Sequence, residues 1–235
     1  MCAWRPAGAA PWSSELAATE NAALDLMDLL RPKAGSGARS DVIHLPAPQR
    51  EGGMPVMEAL AARATRREFA RRALPDDVLS NLLWAAFGIN RPASDGRTAP
   101  SALNQQEIDI YAALPGGLYR YEPHSHCLLM VTPHDVRCLT GVQQLVDDAP
   151  LDLVYVADQN RMMVVPTADR DALAAASAGA IAENVYLYAA SAGLATVLRT
   201  LIDRDTLSRA MNLEPTQRVV LAQTVGYPPP VQTAR

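Results

Sequence analysis

The feature that most constrains the fold is the stretch from 171 to 192, which reads as one long helix of alanine, serine and glycine with few large side chains, stopped by Gly193. Helices draw most of their stability from burying a face against other elements, and small side chains let a neighbouring layer come close. This helix must therefore lie flat on another layer. Gly193 suits the left-handed turn that ends a helix, and it opens a loop whose free N–H groups can face a ligand. A second amphipathic helix begins after Leu74-Pro75-Asp76-Asp77 and stops at Gly88, with apolar residues 79, 82, 83 and 86 at helical spacing. Further helices are expected at 134–145 and 203–211.

The layer beneath them is legible as strands. Residues 108–114 read as one strand, 117–121 and 127–131 as a hairpin, 151–157 as a central strand and 218–226 as the last. Strands in mixed order with long helices predict an α+β fold: a mixed sheet flanked by helices in a three-layer sandwich, without internal repeats. The chain has 235 residues, 49% of them hydrophobic, enough for one large core. With only two Phe and three Trp, that core is aliphatic and alanine-rich.

Residues 1–44 differ in being rich in Ala, Gly, Ser and Pro, with a candidate short helix at 15–30. They are expected to form an arm or linker, partly disordered, before a domain at 45–235. No basic segment precedes an apolar run in the manner of a secretory signal, and no stretch has the length of a membrane span. The net charge of -4 argues against a nucleic-acid binder. Cys2, Cys127 and Cys138 are odd in number and widely spaced, which suggests no disulfide framework and is compatible with the cytoplasm.

Two segments carry the polar chemistry. Arg63-Ala64-Thr65-Arg66-Arg67-Glu68-Phe69 follows the helical stretch 57–63 and places arginines and a hydroxyl at a helix end, where they can surround a phosphate. In an extended segment Arg63, Thr65 and Arg67 share one face and Arg66 points away. A solvated basic turn would have the same composition. Arg97-Thr98-Ala99-Pro100-Ser101-Ala102-Leu103-Asn104-Gln105-Gln106 combines small and amide side chains, and Asn104 and Gln106 offer donors and acceptors to the edge of a flat polar ring. An ordinary polar loop is the competing reading.

Other polar groups carry less. His124, His126, Cys127, His134 and Cys138 include enough nitrogen and sulfur donors for zinc, but His124-Ser125-His126 falls where the hairpin turns, and solvated turn histidines are the expected outcome, so no metal site is assigned. Asp147-Asp148 and Asp203/Asp205 lie at element ends, where acidic residues cap helices or face water.

Taken with Leu82–Arg91, Gly193-Leu194-Ala195-Thr196-Val197 and Val225-Gly226-Tyr227-Pro228, these two segments occur in an order that resembles the flavin-dependent nitroreductase superfamily, in the branch related to azoline-oxidising dehydrogenases of peptide-modifying pathways. The resemblance covers residues 45–228. It implies a homodimer with FMN held at the interface, the FMN phosphate on Arg63, Thr65 and Arg67, and Pro100, Ser101, Asn104 and Gln106 along the ring and ribityl chain. A backbone N–H among Thr196, Val197 and Leu198 would lie near flavin N5. The implied chemistry is hydride or electron transfer, with NADH or NADPH as reductant and a small oxidised acceptor such as a nitroaromatic or quinone. Because the flavin itself reacts, no catalytic side chain is assigned. A dehydrogenase acting on a peptide azoline, and a flavin-binding or flavin-processing protein without turnover, use the same motifs. This chain departs from the pattern in having Arg63-Ala64-Thr65 where many members have Arg-Arg-Ser. It also lacks a lysine at the expected pyrimidine edge, for which Gln143 or Gln144 could substitute, and its tail after Tyr227 has Arg235 as its only basic group.

Overall fold

The computed structural model describes residues 41–143 and 149–230. The expected arm helix at 15–30 lies outside them, as do Cys2, Gln144, Asp147, Asp148 and Arg235.

Strand β7 (Leu151–Asp158) is apolar nearly throughout, and the period of two explains why. Leu151, Leu153, Tyr155 and Ala157 face one hydrophobic cluster, while Val154 and Val156 face another. A strand buried on both faces needs cover on both, so it sits inside the sheet. With β1 (Val42–His44), β4 (Ile108–Leu114), β5 (Gly117–Glu122), β6 (Cys127–Thr132), β8 (Ala195–Arg199) and β9 (Gln217–Gly226), it forms a seven-stranded sheet in the order β1-β6-β5-β4-β7-β9-β8. The strands are mixed in chain order, and every described pairing is antiparallel. A small separate hairpin pairs β2 (Ile89–Arg91) with β3 (Gly96–Arg97).

Helices α1 (Val56–Ala62), α2 (Asp76–Phe87) and α3 (Thr167–Ser191) precede or follow these strands, and α4 (Arg204–Ala210) enters just before β9. The first core joins α2 and α3 to one sheet face, and the second joins α4 to the other, giving three layers. In α3, Ala174, Ser177, Ala178, Ile181, Ala182, Val185, Tyr186 and Ala189 are buried at spacings of three and four, so its small residues face the sheet. Gly193, at φ +66°, ends it as expected: Leu194 N–H donates to the Ala189 carbonyl at 2.8 Å.

Two local expectations fail. The helix expected at 134–145 is not formed over its described part, where a single 3-10 turn spans Arg137–Leu139. Asp135 Oδ1 accepts the Arg137 backbone N–H at 3.1 Å, and Thr140 Oγ1 donates to the Arg137 carbonyl at 2.8 Å, so side chains take backbone groups that a helix would need. Thr196 to Leu198, expected in a loop, belong to edge strand β8.

Strand β8 is locked in place by a buried ionic cluster. Arg199 Nη2 donates to Asp152 Oδ1 at 2.7 Å, Thr224 Oγ1 donates to the same oxygen, and Arg199 Nη1 donates to the Thr140 carbonyl at 2.7 Å. The cluster joins β7, β8, β9 and the 3-10 turn. Burial pushes the Asp152 carboxyl up to about 7, against the opposing pull of Arg199 and Thr224, and it lowers Arg199.

Candidate functional site

After α1 the chain runs extended along the outer side of β8. Arg66 N–H donates to the Thr196 carbonyl at 3.0 Å, and Ala70 N–H to the Tyr227 carbonyl at 2.8 Å. Thr65 Oγ1 lies 3.1 Å from Tyr186 Oη, and the Arg63 guanidinium stacks 5.4 Å from the Tyr186 ring centroid. Arg67 is exposed. Ala62, Ala64 and Arg66 line a cavity of about 90 Å³ with the same Tyr186 and with Ala189, Ala190, Gly193, Leu194 and Thr196. Arg66 thus borders the cavity, although the alternation set it apart from the other phosphate candidates.

Charge makes this edge distinctive. Among the described residues no ion pair involves Arg63, Arg66 or Arg67. Three guanidinium groups within five residues repel one another, and an anion relieves that repulsion while accepting charge-assisted hydrogen bonds.

Tyr186 ties the cluster to the strand. Its Oη accepts the Leu198 backbone N–H at 2.9 Å, so that amide, one of the three candidates for a flavin contact, already has a partner. The Thr196 hydroxyl donates to the Thr224 carbonyl at 2.8 Å and accepts from Gln223 Nε2 at 3.1 Å, and Val197 is buried. Gln223 also accepts from Tyr155 Oη at 2.5 Å and donates to the Ala182 carbonyl at 3.3 Å. Beneath the edge strand lies a connected polar chain that holds its backbone rigid.

The amide loop is elsewhere. It leads into the start of β4, which stands three strand spacings from β8, roughly 14 Å. Pro100 and Asn104 are exposed, and Ser101 Oγ accepts the Gln106 backbone N–H at 3.0 Å. Leu103, Asn104 and Gln106 have φ of +52°, +55° and +51°. Three side-chain-bearing residues in the left-handed region within four positions store strain of a kind that gathers at functional loops. Gln106 is not free to meet a ligand edge: its Oε1 accepts from Arg97 Nε at 2.8 Å and its Nε2 donates to the Asp95 carbonyl at 2.8 Å. Within one chain, then, Arg63 and Thr65 meet Tyr186, whose hydroxyl also holds the Leu198 N–H, and the amide loop lies apart. Gln143 is exposed.

The histidines are engaged in the fold. His126 Nε2 lies 2.7 Å from Ser80 Oγ and its Nδ1 2.9 Å from Tyr121 Oη, while His124 faces Glu122 and Asp95. No group of three or more metal-binding side chains comes together among the described residues. Tyr186 and Gln223 were missed from sequence because each falls on the periodic buried face of its element and reads as core. Arg66 carried the visible signal of its neighbours and differs only in phase.

A sequence profile of the nitroreductase family matches residues 60–227. A crystal structure of a candidate nitroreductase from Ralstonia eutropha is 48% identical, covers 85% of this chain and 95% of its own, and superposes with a TM-score of 0.80. A candidate nitroreductase from Desulfovibrio desulfuricans, solved in complex with FMN, has the same fold at 22% identity, with a TM-score of 0.55 over 76% of this chain and 88% of that one. The fold also recurs in the E. coli microcin synthetase complex solved with truncated pro-MccB17 bound, at 17% identity and a TM-score of 0.61, over 91% of this chain and 92% of that one.

Proposed function

This chain belongs to the nitroreductase family, and from that premise we propose that it is an FMN-dependent oxidoreductase that uses NADH or NADPH to reduce a small oxidised acceptor such as a nitroaromatic or a quinone. The observation that carries the reading is an arginine cluster with no ion pair among the described residues, whose Arg66 lines a cavity of mostly small residues at the edge of the sheet. These residues fit a terminal phosphate. Arg63, Arg66 and Arg67 would hold it, with Thr65 supplying a hydroxyl hydrogen bond. Bound FMN supplies the hydride and electron transfer. The protein's own part is to fix the phosphate, to present a rigid strand edge at Thr196 to Leu198, and to keep water from the reacting face.

The size of the cavity supports a homodimer. About 90 Å³ falls well short of the roughly 300–1,000 Å³ of ordinary small-molecule pockets, so this cavity alone has no room for a flavin. The strained loop with Pro100, Ser101, Asn104 and Gln106 lies across the sheet, where a second copy could bring it over its partner's arginine cluster. Helix α1, whose last residue borders the cavity, exposes Val56, Met57 and Leu60 at 62%, 73% and 46%, an apolar face suited to such contact. The cysteine usage favours work in the cytoplasm. A dehydrogenase acting on a peptide azoline is the second reading, favoured by the shared fold with the microcin synthetase structure over nearly the whole chain.

The test is FMN titration into flavin-free protein. Charge-assisted bonds contribute about 1.5–3 kcal/mol each, so Arg63→Ala and Arg67→Ala should each weaken binding by roughly tenfold or more. Unchanged affinity in these variants and in Arg66→Ala removes the assignment.

A further inference from the structure

The sheet holds a second, larger cavity, whose lining has Gln106 alone in common with the residues assigned to flavin. Strands β4 and β5 pair only from Leu114↔Gly117 to Tyr111↔Arg120, although β4 continues on β7 to Ile108↔Ala157 and β5 on β6 to Glu122↔Cys127. The two strands part at this end of the sheet, and a cavity of about 280 Å³ opens between them. It shares no lining residue with the arginine cavity at β8. Its walls are apolar at Phe87, Ile108 and Ile110, and the main-chain edges of the parted strands face it instead of each other.

Three arginines border this cleft, and their charges are compensated unequally. Arg161 makes a two-oxygen contact with Asp109 at 2.9 and 2.8 Å, and Arg120 has Glu122 at 4.0 Å. Among the described residues Arg97 has no such partner. The residue is 8% exposed, stacks 5.5 Å from the Phe87 ring, and bonds through Nε to the neutral Gln106, and its Nη1 has no hydrogen-bond partner. Asp95, which lies 3.4 Å from His124, favours the Arg97 cation by its charge but makes no ion pair with it. Burial lowers the proton affinity of Arg97, as expected of a charge withdrawn from water without full compensation. A buried cation of this kind gains from an anion brought to it, and the surrounding ring and branched side chains favour an apolar body behind that anion. Asp109 and Glu122 in the same lining would repel a doubly charged group such as phosphate.

We propose that the cleft between β4 and β5 binds a small monocarboxylate with an aromatic or branched body, its carboxylate held by Arg97 and its body against Phe87, Ile108 and Ile110. The site lies within each chain and shares Gln106 with the flavin assignment, and the titration reads it separately through the Ile108 and Ile110 methyl groups.

The test is a fluorine NMR titration of the purified protein with 4-fluorobenzoate, followed by intermolecular NOEs from the ring protons. Saturable binding is expected, with NOEs to the Ile108 and Ile110 methyl groups, unaffected by an equal concentration of inorganic phosphate and weakened roughly tenfold or more in Arg97→Gln. Absence of saturable binding overturns the proposal. So do NOEs confined to other methyl groups such as those of Leu194, equal displacement by phosphate, or unchanged affinity in a folded Arg97→Gln variant. Should that variant not fold, the methyl NOEs of the unaltered protein decide the matter.

Discussion

Replacing Tyr186 by phenylalanine removes one hydroxyl that serves two parts of the candidate site. That oxygen accepts the Leu198 N–H at 2.9 Å and lies 3.1 Å from Thr65 Oγ1. Tyr186 is 7% exposed and Leu198 is half-buried, so the amide it leaves behind is partly screened from water. A buried donor left without a partner costs about 1–3 kcal/mol, and a typical hydrogen bond contributes a net of about 0.5–1.5 kcal/mol. The flavin-free Tyr186→Phe protein should therefore lose roughly 1–3 kcal/mol in urea unfolding, with an unchanged slope against urea because the surface exposed on unfolding stays the same. The phenylalanine ring keeps the platform under Arg63, so the loss of FMN affinity should be smaller than in Arg63→Ala, about three- to tenfold, through release of Thr65. Tyr186→Leu removes the platform as well and should weaken FMN further. If Tyr186→Phe leaves both stability and affinity at the level of the unaltered protein, the hydroxyl does not link the arginine segment to β8, and the site as built here is wrong.

The buried Asp152 carboxyl predicts a pH dependence. Its folded-state pKa of about 7 stands above the ordinary 3.8, so the folded chain keeps a proton that the unfolded chain releases, and this group's contribution to stability is complete below about pH 4 and is lost as pH rises to about 7. The effect is bounded at about 4 kcal/mol, and Asp152→Asn should flatten that part of the profile when unfolding is measured from pH 4.5 to 7.5; identical profiles would contradict it. At the proposed dimer face, Leu60→Glu should convert the dimer to monomer in light scattering and lower FMN retention with it, whereas a dimer that persists with full FMN content argues for another interface.

The layers and most strands were legible because their signals are local. The apolar runs of 108–114, 117–122 and 151–158 and the small-residue stripe of α3 each follow from one element's own burial. The helix expected at 134–145 does not form over its described part because Asp135 and Thr140 spend the backbone groups on turn bonds, a competition that periodicity does not register. The arginine segment announced itself by composition, and its phase against Tyr186 depended on β8 passing beside it. The roles of Gln106 and Arg97 were hidden because their mutual bond at 2.8 Å exists only once the strained loop folds back on β3.

The most direct test of the central claim is the absorbance spectrum of the purified protein before and after anaerobic addition of NADH or NADPH, with the released cofactor identified by chromatography. The account predicts one bound FMN per chain, bleaching of its absorbance by at least one of the two donors, and recovery on adding a quinone. A colourless protein that takes up no FMN on titration, or one whose bound FMN neither donor bleaches, would contradict it.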